Sequence, residues 1–235
     1  MLPVEGRLRT LSWDPSNSPY FEAPSVRVAV RQHPRAPLSG DFFEMIDHGN
    51  GKVTALIADV SGNGPTAASL GEQVRREARR RMMCGAGPAA VLSGTNSWLE
   101  RQGHFDRFVC STAVRIDRDG GEAVAASAGH FLPLLKVSPG HAVILEGPTG
   151  PPLGVLGDQI FPSIKFRFSL GDILILVTDG ISDVLAGAFD PLGERGLTRL
   201  VADGPADLDD LCQAVFETTS ASAGADAMVL ALEMA

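Results

Sequence analysis

Residues 41–64 read DFFEMIDHGNGKVTALIADVSGNG, and this stretch decides the fold. Asp41–Asp47 and Val53–Asp59 are two β-type runs separated by His48-Gly49-Asn50-Gly51-Lys52. The Asn-Gly pair predicts a tight hairpin between them. Pairing back from that turn puts Asp41, at the start of the first strand, beside Asp59, at the end of the second. Two carboxylates at one open end of a ribbon are poor core material but suit a shared hard cation. Beyond Gly64, Pro65 is placed as a first helical residue, and the spacing predicts a helix to about Met83.

Outward from this segment the chain alternates strands and helix pairs. Ser25–Gln32 has the period-two pattern of a half-buried strand. Gly85-Ala86-Gly87-Pro88 ends the first helix, and a second runs to about Glu100. Strands are expected at Arg107–Asp117 and Glu122–Ala128, joined at Asp119-Gly120-Gly121, and at Pro133–Val137 and Ala142–Glu146 around Ser138-Pro139-Gly140. Gly147–Gly157 reads as a loop. Ile164–Phe168 and Asp172–Thr178 read as another hairpin turned at Leu170-Gly171. The second of these repeats the Asp59 pattern: an apolar run, then Asp179, then Gly180. Helices are expected at Leu192–Ala202 and Ala206–Thr219, a loop at Ser220–Gly224, and a last strand at Met228–Leu232 with Asp226 just before it. Hairpin linkage implies largely antiparallel sheets, and two sheets covered by helix pairs is the natural packing. With no repeat or linker evident, the expectation is one α+β domain over residues 1–235.

Composition narrows the function. The 235 residues carry 20 Lys and Arg against 28 Asp and Glu, a net charge of −8, which argues against nucleic acid or an anionic membrane as partner. The N-terminus lacks a basic region followed by an apolar stretch, and Ile173–Val177 is far too short to span a bilayer; the expectation is a cytoplasmic protein. Cys84, Cys110 and Cys212 form neither a disulfide framework nor a Cys-x-x-Cys motif and read as buried thiols. Ser61 lacks a nucleophile elbow and reads as a turn hydroxyl; His130 reads as structural. Arg75, Arg76, Arg79, Arg80 and Arg81 crowd one helix. They read as a solvated face partnered by Glu72 and Glu77, with a docking surface for an acidic protein as the alternative.

Aspartates at strand ends suit Mg²⁺ or Mn²⁺, which take hard oxygen ligands and keep several waters. Two such ions can polarise a water and clamp the oxygens of an in-line displacement. From the residues alone the reading stops at a two-metal hydrolase or transferase.

Five segments, in order, resemble a known family: Ser39-Gly40-Asp41-Phe42-Phe43-Glu44; Ala58-Asp59-Val60-Ser61-Gly62-Asn63-Gly64; Ser127-Ala128-Gly129-His130-Phe131-Leu132-Pro133; Gly171-Asp172 through Thr178-Asp179-Gly180; and Asp226-Ala227-Met228-Val229. They are similar to the motifs of the SpoIIE/RsbU-type bacterial protein serine phosphatases, a branch of the metal-dependent PPM (type 2C) phosphatases. The resemblance, from about Val28 onward, implies a four-layer αββα sandwich and two Mn²⁺ or Mg²⁺ ions. It implies that Asp59 bridges both ions, that Asp41 binds one, that Asp179 and Asp226 hold the other, and that the Val60 backbone carbonyl adds a ligand. A bridging hydroxide would attack a phosphoserine or phosphothreonine of a regulatory protein, usually an anti-sigma-factor antagonist in a partner-switching pathway. The chain departs from the pattern at Asn63, where His is common, at Asp183, where Glu is common, and at Ala227 after Asp226. A strand at Met228–Leu232 puts Asp226 at the metal position; a slip of one residue would put Ala225 there. Without room for an upstream sensor, the chain resembles a stand-alone catalytic module. Two alternatives stand beside the phosphatase: a degenerate, non-catalytic phosphoprotein-binding module, and a hydrolase of small phosphoesters.

Overall fold

The computed structural model describes residues 9–12, 20–23, 26–33, 39–103, 106–137, 140–181, 193–217 and 226–235. Its strands are β1 (Arg9–Ser12), β2 (Tyr20–Ala23), β3 (Val26–His33), β4 (Phe42–Asp47), β5 (Lys52–Val60), β6 (Val109–Asp117), β7 (Glu122–Ala128), β8 (Leu134–Val137), β9 (His141–Ile144), β10 (Ile164–Arg167), β11 (Ile173–Val177) and β12 (Ala227–Met234). The helices are α1 (Gly64–Met83), α2 (Pro88–Gln102), α3 (Gly193–Asp203) and α4 (Leu208–Glu217). Two six-stranded sheets form, in the orders β1-β4-β5-β6-β7-β10 and β2-β3-β12-β11-β8-β9. Every strand pair in both is antiparallel. Helices α1 and α2 cover the first sheet, and α3 and α4 cover the second. This is the expected four-layer αββα sandwich.

Side-chain parity builds the layers, because successive strand residues face opposite sides. Phe43 and Met45 of β4 and Val53, Ala55 and Ile57 of β5 face the second sheet, where they meet Leu174, Leu176, Met228, Leu230 and Leu232. Phe42, Ile46, Leu56, Ala58 and Val60 take the opposite parity and pack under α1 and α2. Each fully buried Leu, Ile or Phe in these layers contributes about 1.5–3 kcal/mol. Helix α1 begins after Asn63, whose extended backbone and the following proline favour initiation. Its buried Ala67, Leu70, Gly71, Val74, Ala78 and Met82 recur at helical spacing.

Several expectations need correction. Ile164–Arg167 and Ile173–Val177 do not pair with each other: β10 pairs with β7 in the first sheet, and β11 pairs with β8 and β12 in the second. The physical cause lies in their surroundings. β10 is an edge strand with alternating exposure, whereas β11 is buried along its whole length. Between them the fully buried Phe168 plugs the gap between sheets, so the chain crosses from one sheet to the other instead of turning back. Strands β1 and β2 were not expected at all. Among the cysteines, Cys212 is buried, Cys110 is half-buried, and Cys84 is exposed. In the arginine cluster, Arg76 pairs with Glu72 and Arg80 with Glu77, as expected for a solvated face. Arg75 also pairs with Glu72, and it and Arg79 both reach Glu44 of β4, which is fully buried. Asp183, Ala225, the Ser138-Pro139 turn and the Ser220–Gly224 loop lie outside the described residues. No helix among those described is long and apolar enough to cross a membrane.

Candidate metal centre

The same parity that builds the core brings the acids together. Asp41 continues the inward series of Phe43 and Met45, and Asp59 continues that of Val53, Ala55 and Ile57. The β4–β5 register, with Phe42 opposite Ala58, carries Asp41 opposite Asp59. In the second sheet, Val177 pairs with Val229. That register brings the Thr178-Asp179-Gly180 segment, where the backbone turns helical, alongside Asp226: a Cβ on Gly180 would lie 1.9 Å from the Asp226 carbonyl oxygen. Gly180 is therefore required by close backbone approach. Ala227 opens β12 opposite His33, which leaves Asp226 immediately before the strand.

A cleft of about 370 Å³ opens at this end of the sandwich, lined by Asp59, Val60, Ser61, Gly62, Asn63, Phe108, Cys110, Asp179 and Asp226. Asp41 lies deeper, 5% exposed. Its Oδ2 accepts a hydrogen bond from Thr178 Oγ1 at 2.9 Å, a contact that spans the two sheets. Thr178 Oγ1 in turn accepts from the Met228 backbone N–H at 2.9 Å. A second strap links the sheets: Ser39 Oγ donates to Asp226 Oδ2 at 2.9 Å and accepts from the Asp41 N–H at 3.0 Å. Ser39 and Thr178 are thus the residues that orient two of the acids. Both stand in the motifs read from the sequence, but a hydroxyl's cross-sheet partner has no local signal.

The electrostatics follow from crowding. Burial, then the neighbouring Asp59 carboxylate, push the Asp41 carboxyl well above the usual carboxylate range; the Thr178 hydroxyl opposes this and Asp226 adds to it. Asp41 Oδ1 is buried and has no hydrogen-bond donor. Two facing carboxylates supply none, so a proton or a cation has to sit between them. Burial pushes the Cys110 thiol up to about 12, with Asp59 and Asp179 adding to the effect, which makes it an inert thiol. The orphaned oxygen and the all-oxygen donor set fit a hard divalent cation. Among the described residues, no three His, Cys, Asp or Glu side chains are already drawn into a closed ligand set. An ion that keeps several of its waters needs fewer direct protein ligands.

The remaining candidates fall into place. Ser61 Oγ accepts from the Phe108 N–H at 2.9 Å, and the Ser61 N–H donates to the Phe108 carbonyl at 3.0 Å; it is a turn residue. Gly62 has φ +94°, and a Cβ there would lie 2.2 Å from Arg107 Nη1, which donates to the Ser61 carbonyl. Asn63 faces the cleft and makes no side-chain cap on α1. His130 is outside the cleft lining: its Nδ1 lies 3.1 Å from both Thr112 Oγ1 and the Phe131 carbonyl, and burial lowers it to about 4.

The family model described as Stage II sporulation protein E (SpoIIE) matches residues 49–234. The chain belongs to the SpoIIE family. A relative of this SpoIIE-family chain is the "Phosphoserine phosphatase RsbP" of Bacillus subtilis (strain 168), 26% identical over 168 residues, or 70% of this chain. The match spans 41% of that relative's length. Among solved structures, the RsbU and RsbW domains of Rv1364c from Mycobacterium tuberculosis superpose with a TM-score of 0.79 at 25% identity, over 90% of this chain and 60% of the other. The catalytic domain of the serine threonine protein phosphatase PstP, in complex with 2 manganese ions, shares the fold with a TM-score of 0.65 at 13% identity, over 89% of this chain and 98% of the other.

Proposed function

We propose that this chain is a Mn²⁺- or Mg²⁺-dependent protein serine/threonine phosphatase, a single domain over residues 1–235 acting in the cytoplasm on a phosphorylated regulatory protein such as an anti-sigma-factor antagonist. The observation that carries the reading is the convergence of Asp59, Asp179 and Asp226 on one cleft, with the buried, donorless Asp41 oxygen behind them. The SpoIIE-family match, the phosphoserine phosphatase relative and the two manganese ions of the PstP structure support it.

In this reading Asp41, Asp59, Asp179 and Asp226 would hold the ions, with the Val60 carbonyl as a further ligand. When bound, such ions lower the pKa of water and offset the charge of phosphoryl oxygens. The chain's own residues do the positioning. Thr178 holds Asp41, Ser39 holds Asp226, and each strap ties one sheet to the other so that the acids cannot drift apart independently. Gly62 and Asn63 line the cleft beside the start of α1, whose N-terminal dipole favours an anion there.

The test is hydrolysis of p-nitrophenyl phosphate with and without Mn²⁺, comparing wild type with Asp59→Asn. A loss of at least several hundred-fold is expected, roughly 4 kcal/mol of barrier. Metal-independent turnover, or full activity in the variant, would remove the mechanism. Asn63 in the cleft, and the absence of a closed ligand set among the described residues, favour one other reading: a phosphoprotein-binding module without turnover. Calorimetry with Mn²⁺ separates the two, since the module binds metal weakly.

A further inference from the structure

Val155 and Leu156 are 52% and 54% exposed on a segment whose Leu153 pairs with Val109, the residue after Phe108, which is 42% exposed and part of the cleft wall. Exposed apolar side chains in a slack loop would mean little, but this loop is built. Leu153, 1% exposed, anchors it in the core beneath α2. Leu153 and Val109 exchange both backbone hydrogen bonds, at 3.0 and 2.8 Å. The buried Asn96 uses both ends of its amide on the loop: Nδ2 donates to the Leu156 carbonyl at 2.8 Å, and Oδ1 accepts from the Gly154 N–H at 2.8 Å. Gly154, at φ +87°, lies so close that a Cβ would be 3.4 Å from the Arg107 carbonyl and 2.9 Å from Leu99. The segment bearing Val155 and Leu156 is thereby locked beside the backbone that carries Phe108.

We propose that Phe108, Val155 and Leu156 form an apolar docking rim for the residues flanking the phosphorylated side chain of a protein substrate. The proposal rests on the phosphatase reading of the cleft. Its basis is continuity: Phe108 belongs at once to the cleft wall and to the exposed rim, so a chain delivering a phosphate inward lays its neighbouring residues across that rim. None of the three rim side chains is charged, which fits apolar flanks. A rim already held in place loses little conformational entropy on binding.

The experiment uses two phosphoserine peptides that differ in having Leu or Ser at the positions flanking the phosphoserine, with p-nitrophenyl phosphate as the small control. Phe108 is left unchanged because it lines the cleft. Wild type with Mn²⁺ should prefer the Leu peptide about tenfold in kcat/KM. Val155→Ser/Leu156→Ser should abolish the preference while keeping p-nitrophenyl phosphate turnover within about twofold, a native circular-dichroism spectrum and an unchanged mass by light scattering. No preference in wild type, or a preference that survives in the variant, overturns the rim. A variant that changes oligomeric state also overturns it, by assigning the patch to a second copy of this chain. If wild type hydrolyses nothing, the phosphatase reading has failed. Anisotropy titration of the same peptides then decides the rim alone, equal affinities overturning it.

Discussion

Replacing Thr178 by valine removes one buried hydroxyl and nearly no volume, and it tests whether the two sheets are tied at the candidate site. Thr178 is fully buried, donates to Asp41 Oδ2 and accepts from the Met228 N–H. Loss of a hydrogen bond to the protonated Asp41 carboxyl costs about 0.5–1.5 kcal/mol, and a stranded buried N–H about 1–3 kcal/mol. The two losses share one atom, so they do not add fully; we expect a destabilisation of about 2 kcal/mol in metal-free protein. For a chain of this size that lowers Tm by ~4–8 °C. Thr178→Ser keeps both hydrogen bonds and loses only a methyl group, about 1 kcal/mol. Urea unfolding followed by circular dichroism measures both variants against wild type. A valine variant within about 0.5 kcal/mol of the serine variant would refute the strap. Mn²⁺ titration adds a second check, since Asp41 without its donor should bind metal more weakly in the valine variant alone.

Three further outcomes follow from the same geometry. Gly62→Ala forces a side chain onto Arg107 at a left-handed backbone position; we expect p-nitrophenyl phosphate turnover to fall about tenfold, with partial recovery in Gly62→Ala/Arg107→Ala, and an unaffected single variant would contradict the packing. Glu44→Gln leaves Arg75 and Arg79, each partly exposed, without their buried anion; discounted for that exposure, the loss should be about 2 kcal/mol by urea unfolding. Because the folded, metal-free protein keeps a proton on Asp41 that the unfolded chain loses above 3.8, its stability from this group falls as pH rises from 3.8 toward the folded value. Since a cation has to displace that proton, Mn²⁺ affinity should rise with pH. Calorimetry in two buffers of different ionisation heat should register proton release, and pH-independent affinity would count against the shared-proton pair.

The hairpin at Asn50-Gly51, the α1 start at Pro65 and the facing of Asp41 with Asp59 were legible in residues 41–64 alone. A two-residue side-chain period and a tight turn define them within two dozen positions, and no distant partner is needed. The family motifs extend the same pattern to Asp179, which follows a buried strand, and to Asp226, which stands just before one. What the chain could not declare by itself was partnership across long separations. Ile164–Arg167 and Ile173–Val177 look like a hairpin locally, yet Phe168 is worth more buried between the sheets than exposed at a turn, and the strands part. The β11–β12 ladder, which sets Asp226 immediately before its strand, is a long-range pairing that the local sequence does not announce. The Thr178 and Ser39 straps, the Glu44 partners of Arg75 and Arg79, and the Asn96 hold on the rim loop likewise exist only once separate elements pack. A hydroxyl, carboxylate or amide advertises its capacity to hydrogen-bond, but its partner is chosen by the burial of apolar layers around it.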